Sequence, residues 1–207
     1  MFETKEYTLG SGHLHVEQRD AATFDPKTYD WDKFFASQTN LIGRIKGGAK
    51  FEYSTEKYED EDDLGYVKIS EITKENVKLT SGVMTWNGEV LAALCSTARV
   101  TDNDDGSQRI KIGGLANQND KVYIIGFEHK SKKLRVIIVG KNTEGFSFDF
   151  KQDSATVIDT VFTAEAADNE GTLIIIDDLR KKKASSDQSK PSGEENTQDK
   201  SQSADGE

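Results

Sequence analysis

Five consecutive residues, Phe146-Ser147-Phe148-Asp149-Phe150, set three aromatic rings on one side of an extended chain and two polar groups on the other. A strand repeats every two residues and a helix every 3.6, so this alternation fits only a half-buried strand. Ala49-Lys50-Phe51-Glu52-Tyr53 repeats the pattern with charged residues on its open side. Segments rich in Val, Ile and Phe extend it: Gln108 to Ile112, Val122 to His129, Leu134 to Val139, Thr156 to Thr163 and Thr172 to Asp177, with shorter candidates at Val77 to Ser81 and Thr97 to Thr101. The chain is therefore expected to be mainly β.

Turn chemistry falls between these runs. Asp102-Asn103-Asp104-Asp105-Gly106 tolerates a left-handed backbone and predicts a hairpin, and Ser131-Lys132-Lys133 and Gly140-Lys141-Asn142-Thr143 are read as turns as well. Short links make consecutive strands antiparallel neighbours, so the expected fold is an antiparallel β-sandwich or barrel. One helix is expected to flank it. Asn87 is a good N-cap, and Val90, Leu91, Leu94 and Cys95 share one helical face. The stretch from Glu17 to Gly43 keeps no period, and Tyr29, Trp31, Phe34 and Phe35 are expected to anchor it as a long excursion.

At 207 residues the chain has room for one domain and a tail. Residues 1–183 are assigned to the β domain, with long loops at 17–43 and 54–65. Residues 184–207 are Ser, Asp, Glu, Gln, Lys and Gly with little apolar content, too polar to offset the entropy of ordering, and are expected to be disordered. No apolar run is long enough to span a membrane as a helix, and the charged first residues lead into no signal-like segment, so assembly in the cytoplasm is expected.

Little in the sequence predicts chemistry. Cys95 is the only cysteine, which rules out a disulfide within the chain and a multi-cysteine zinc site; it is read as an inert thiol. His13 and His15 share a strand face but have no third ligand in pattern. Placed in a calcium-loop register, Gly106 would put Thr101 first and Ile112 last, and neither position then carries the required carboxylate. Gly47-Gly48 and Gly113-Gly114 lack phosphate-loop spacing and are read as tight turns or close approaches. No acid and base pair stands out, so no catalytic residue, metal or cofactor is assigned and no enzyme is expected.

The formal charge is −10, and the ordered part stays acidic without its tail, so tight binding to nucleic-acid phosphates is not expected. An acidic wall could still surround DNA without holding it. The densest charge is Glu56-Lys57-Tyr58-Glu59-Asp60-Glu61-Asp62-Asp63. It is read as an arm reaching another subunit, on which Tyr58 and Leu64 supply apolar contact and Glu59, Asp60, Glu61, Asp62 and Asp63 seek cations. Arg180 to Lys183 form a short basic run, a solvated stretch or a site for an acidic neighbour.

Several pieces in order resemble one family. Leu41-Ile42-Gly43-Arg44-Ile45-Lys46-Gly47-Gly48-Ala49, Tyr53, Asp62-Asp63-Leu64-Gly65, Gly82-Val83-Met84-Thr85-Trp86-Asn87 and Glu170-Gly171-Thr172-Leu173-Ile174-Ile175 are similar to the major tail tube proteins of long-tailed, siphovirus-like phages and prophages of Gram-positive bacteria. The resemblance runs from about Tyr7 to Asp178. It implies two packed sheets with a flanking helix, in subunits that form rings, usually hexameric, whose inner sheets join into one barrel. Stacked rings make a virion tail tube that DNA passes through on ejection. A long hairpin loop, here Ser54 to Gly65, and terminal arms would hold ring to ring. Tape-measure, distal tail or baseplate and tail terminator proteins would be its partners. Glu52 and Asp149 are the lumen candidates.

Two other readings compete. A carbohydrate- or receptor-binding β-sandwich would need Tyr29, Trp31 and Trp86 to form an exposed platform. A ligand-carrying barrel would need a closed cavity within one chain.

Overall fold

The computed structural model describes residues 10–20, 24–66, 68–84, 87–148, 150 and 152–181. The expectations for residues 184–207, for Asp149 and for Trp86 lie outside the described residues.

Among these, β1 (Gly12–Gln18), β2 (Leu41–Gly43), β3 (Ile45–Glu61), β4 (Lys68–Val83), β7 (Tyr123–His129), β8 (Leu134–Phe148), β9 (Ile158–Glu165) and β10 (Ile175–Asp178) form one antiparallel sheet, and β5 (Arg99–Asp102) and β6 (Gln108–Lys111) form a separate hairpin. The larger sheet runs β2-β1-β7-β8-β9-β4-β3, with β10 pairing the start of β8. Two short helices, α1 (Trp31–Ala36) and α2 (Gly88–Leu94), lie against it. The fold is thus mainly β and antiparallel, as expected.

The sheet folds over on itself. A single residue, Arg44, separates β2 from β3, so the two ends of the strand order are joined by one bent stretch of chain. Leu14, Ile42, Val77, Leu79, Val83, Ile125, Ile138, Ile158 and Phe162 fill the space between the two layers, with Leu91 and Leu94 of α2 closing one side. Along β4 and β9 these side chains alternate with more polar or exposed ones, as a sheet with one buried face requires. α2 starts where Asn87 Oδ1 accepts the Val90 amide at 2.9 Å. It ends at Leu94; Cys95 is the extended cap residue, half-buried with its Sγ 3.3 Å from Thr97 Oγ1, rather than a member of the apolar face.

β7 is buried along its whole length, because a second apolar cluster covers its other side. Phe34 and Phe35 of α1 pack there on Ile124, Ile137 and Val139. Gly126 makes this possible: a Cβ on it would stand 2.6 Å from the Phe34 ring and 2.7 Å from the Phe35 ring. The excursion 17–43 is therefore largely a strap that docks by its aromatics, and it contains α1 and β2, which the lack of a period concealed.

Two turn assignments need correction. Gly140 to Thr143 lie inside β8, where Gly140 is needed because a Cβ would meet the Thr163 carbonyl at 2.1 Å; the irregularity is a register shift between Asn142 and Phe146. Residues 54–65 are not a loop for most of their length. The ladder between β3 and β4 continues to Glu61 opposite Lys68, with the described turn residues at 62–66. No core covers this part of the ladder, where every described residue from Glu56 to Glu61 is exposed. By contrast Asp102 to Gly106 does close the β5–β6 hairpin, with the Asn103 amide donating to Ser107 at 2.8 Å, and Gly47-Gly48 form a bulge in β3 with φ of 83° and 80°.

Candidate functional site

The four strands β8 (its second half), β9, β4 and β3 make a layer with two unlike faces. Register places Lys50 and Glu52 of β3, Lys78 and Thr80 of β4, and Val161 and Thr163 of β9 on the face turned away from the core. Glu52 thus points to solvent, as its alternation with Phe51 requires, and it pairs with Lys50 at 2.7 Å. Lys74 pairs with Glu56 at 2.8 Å, Lys141 with Glu165 at 2.8 Å, and Lys78 with Glu144. All four pairs are open to water, so they add little stability; their effect is to leave this face polar with its cations matched by carboxylates. Of the two lumen candidates, Glu52 lies on this face and Asp149 is outside the described residues; Lys78 and Thr80 could also have been read from the alternation of Val77 to Ser81.

The same layer ends in two margins with no partner strand among the described residues. β3 pairs only with β4. β8 pairs with β7 only as far as Gly140, so its second half is covered by β9 on one side alone. Exposed edges of this length present rows of unpaired amides and carbonyls that recruit further strands. The β8 margin was hidden in the sequence by the glycine and asparagine that were read as a turn.

Beyond the core, β3 and β4 continue as a two-stranded ribbon. From Glu56 to Tyr66 and from Lys68 to Glu75 every described residue is exposed. On one face of the ribbon Tyr58 and Asp60 stand opposite Glu71 and Ile69; on the other Lys57, Glu59 and Glu61 stand opposite Ile72, Ser70 and Lys68. Tyr58, Leu64, Tyr66, Ile69 and Ile72 are all more than two-fifths exposed, Tyr66 at 83%. Tyr58 donates to Asp60 at 2.9 Å, and Lys68 pairs with Glu61 at 2.9 Å. Leu64, Asp62 and Asp63 sit at the tip.

A third feature is electrostatic and lies under the strap. Arg135 of β8 bonds Glu128 of β7 at 3.1 Å and Asp32 of α1 at 2.6 Å, and its guanidinium stacks 4.7 Å from the Phe35 ring centre. His15, 3% exposed, stands beside Phe34 and Phe35, and its Nδ1 has no hydrogen-bond partner. Burial first, then the nearby His13 and Arg135 charges, lowers its pKa to about 4. His13 shares that face without forming a ligand set, and among the described residues no cluster of three His, Cys, Asp or Glu could hold a metal.

The competing readings find no site of their own. Tyr29 and Trp31 lie with ring centres 4.7 Å apart and pack on Phe24 and Phe34, so they line the strap's core rather than a sugar platform. Between the layers, side chains such as Leu79, Ile125 and Phe162 occupy the interior that a carried ligand would need. No helix among the described residues is long and apolar enough to cross a membrane.

No protein-family model matches this chain, and no curated protein matches it. Among solved structures it is similar to a chain of the PVC sheath/tube terminator of an extracellular contractile injection system in its extended state, at 12% identity over 84% of this chain and 99% of that one, with a TM-score of 0.43. It is also similar to a chain of the PVC sheath-tube complex in the extended state, at 13% identity over 84% and 94%, with a TM-score of 0.42. Likeness at this level carries no functional argument.

Proposed function

We propose that this chain is a structural subunit that closes into rings and stacks into a tail tube, a passive conduit rather than an enzyme. One observation supports it most: a four-stranded layer, polar on one face and packed on the other, whose two margins at β3 and the second half of β8 are both bare. Joining the β3 margin of one copy to the β8 margin of the next satisfies both, and repetition around an axis closes a barrel with no edge left over. The face carrying Glu52, Lys78 and Thr163 would then line the bore. With its lysines matched by acids, such a wall would let a polyanion pass without gripping it.

The similarity of the sequence to tail tube proteins of Gram-positive phages supplies the finer parts of this reading: hexameric rings, DNA passage, assembly in the host cytoplasm into a virion tail, and tape-measure, baseplate and terminator proteins as partners. Negative-stain electron microscopy of the purified protein, alone and with its tail partners, tests it. Rings or hollow tubes are expected. A protein that stays monomeric at millimolar concentration, in every combination, would reject it.

A further inference from the structure

Across the described surface six lysines pair with an acid of the same chain: Lys27 with Glu170, Lys50 with Glu52, Lys68 with Glu61, Lys74 with Glu56, Lys78 with Glu144 and Lys141 with Glu165. Two places gather several unpaired charges of one sign. On the ribbon, Glu59, Asp60, Asp63 and Glu71 have no cation within ion-pair distance among the described residues, and this stretch holds seven acids against two lysines from Glu56 to Glu71. At the β7–β8 turn, Lys130, Lys132 and Lys133 stand exposed within four residues, and none is within ion-pair distance of a carboxylate among the described residues. Lys132 holds φ at 56°, so the turn is sharp. The Leu179 amide donates to the Lys133 carbonyl at 2.9 Å, which fixes the turn against the end of β10.

We propose that the ribbon docks on the β7–β8 turn of a second copy, its acids meeting Lys130, Lys132 and Lys133 while Tyr58 and Ile69 cover apolar surface. This rests on reading the chain as a self-assembling subunit and names the surface that receives the arm. A two-stranded ribbon without a core is marginal in water, and its five exposed large apolar side chains gain nothing unless another surface meets them. Among the described residues Glu59, Asp60, Asp63 and Glu71 on one side and Lys130, Lys132 and Lys133 on the other have no ion-pair partner, although all are exposed. Opposite patches of this kind set register and raise the rate of encounter more than they add affinity, which suits an interface that must form repeatedly in one orientation.

The test mixes unlabelled and 15N-labelled full-length protein at assembling concentration and treats it with a water-soluble carbodiimide, which joins a carboxylate to an amine in contact. Mass spectrometry should find mixed-isotope peptides that join Glu59, Asp60, Asp63 or Glu71 to Lys130, Lys132 or Lys133. The triple variant K130E/K132E/K133E should lose those peptides and lower the yield of stacked assemblies by about tenfold or more at low salt. Adding E59K/D60K/D63K to the same chain should restore the assemblies, with coupling between ribbon and turn now running from ribbon amine to turn carboxylate. Ribbon acids coupled only to other lysines, such as Lys46 or Lys121, or rings and tubes with no mixed-isotope peptide from the ribbon, would overturn the docking while leaving the subunit reading intact. Monomers alone in the microscope would overturn both.

Discussion

The ring of Phe51 stands edge to face with the ring of Phe127, their centres 6.3 Å apart, although β3 and β7 are never neighbours in the sheet. This contact crosses the interior between the two layers. It shows that the sheet's fold-over is held by side chains as well as by the short link at Arg44.

Phe51→Ala should therefore cost more than its place near an edge strand suggests. Removing a largely covered ring and leaving the space unfilled should lower stability by about 2–4 kcal/mol, read as a shift in the urea midpoint at unchanged slope. Phe150, an exposed ring near the end of β8, should tolerate the same change within about 0.5 kcal/mol.

Gly126→Ala tests the docking of the strap. The added methyl would lie against two rings that are themselves packed, so the strap must shift outward at a cost of about 1–3 kcal/mol. Trp31, which donates from Nε1 to the Pro26 carbonyl at 3.2 Å, reports the shift through a red-moved fluorescence maximum.

Acid should loosen the same strap. His15 binds its proton only near pH 4 when folded but near 6.5 when free, so between those values the unfolded chain holds more protons and stability falls as pH falls. The loss grows by ~1.4 kcal/mol per unit, reaching roughly 3 kcal/mol by pH 4. His15→Phe keeps a ring in the box and should flatten that part of the profile, measured by urea melts at pH 7 and 4.5; an unchanged slope would assign the acid sensitivity elsewhere.

Shortening the ribbon separates folding from assembly. Replacing residues 57–72 by a tight turn removes no core residue among those described, so the melting temperature of the monomer should move by only a few degrees. Assembly, followed by sedimentation velocity, should be lost.

The strands were legible wherever one face meets the core, because burial imposes the alternation that Ala49 to Tyr53 and Val77 to Ser81 display. Legibility failed for two physical reasons. Gly140 and Asn142 carry turn chemistry, yet the close approach of β9 requires a glycine there and a bulge uses the asparagine, so one long strand was read as two. The ribbon has no buried face at all, so nothing in its pattern distinguishes strand from loop, and its acids suggest solvent. Of the candidate site, Tyr58 to Leu64 and Glu52 could be named from charge and alternation. The bare β8 margin and the lysines of the β7–β8 turn could not, since their significance lies in what surrounds them in space.

The ribbon's second strand continues directly into the core as β4, which is stapled to β9 by six successive residue pairs from Lys78 to Val83. A load applied at the tip thus runs lengthwise into that ladder, straining its rungs together instead of peeling them singly. Whatever grips Tyr58 and Leu64 pulls through the paired strands of the ribbon into that ladder, and a filament strung through such members would resist stretching far better than a lone hairpin could.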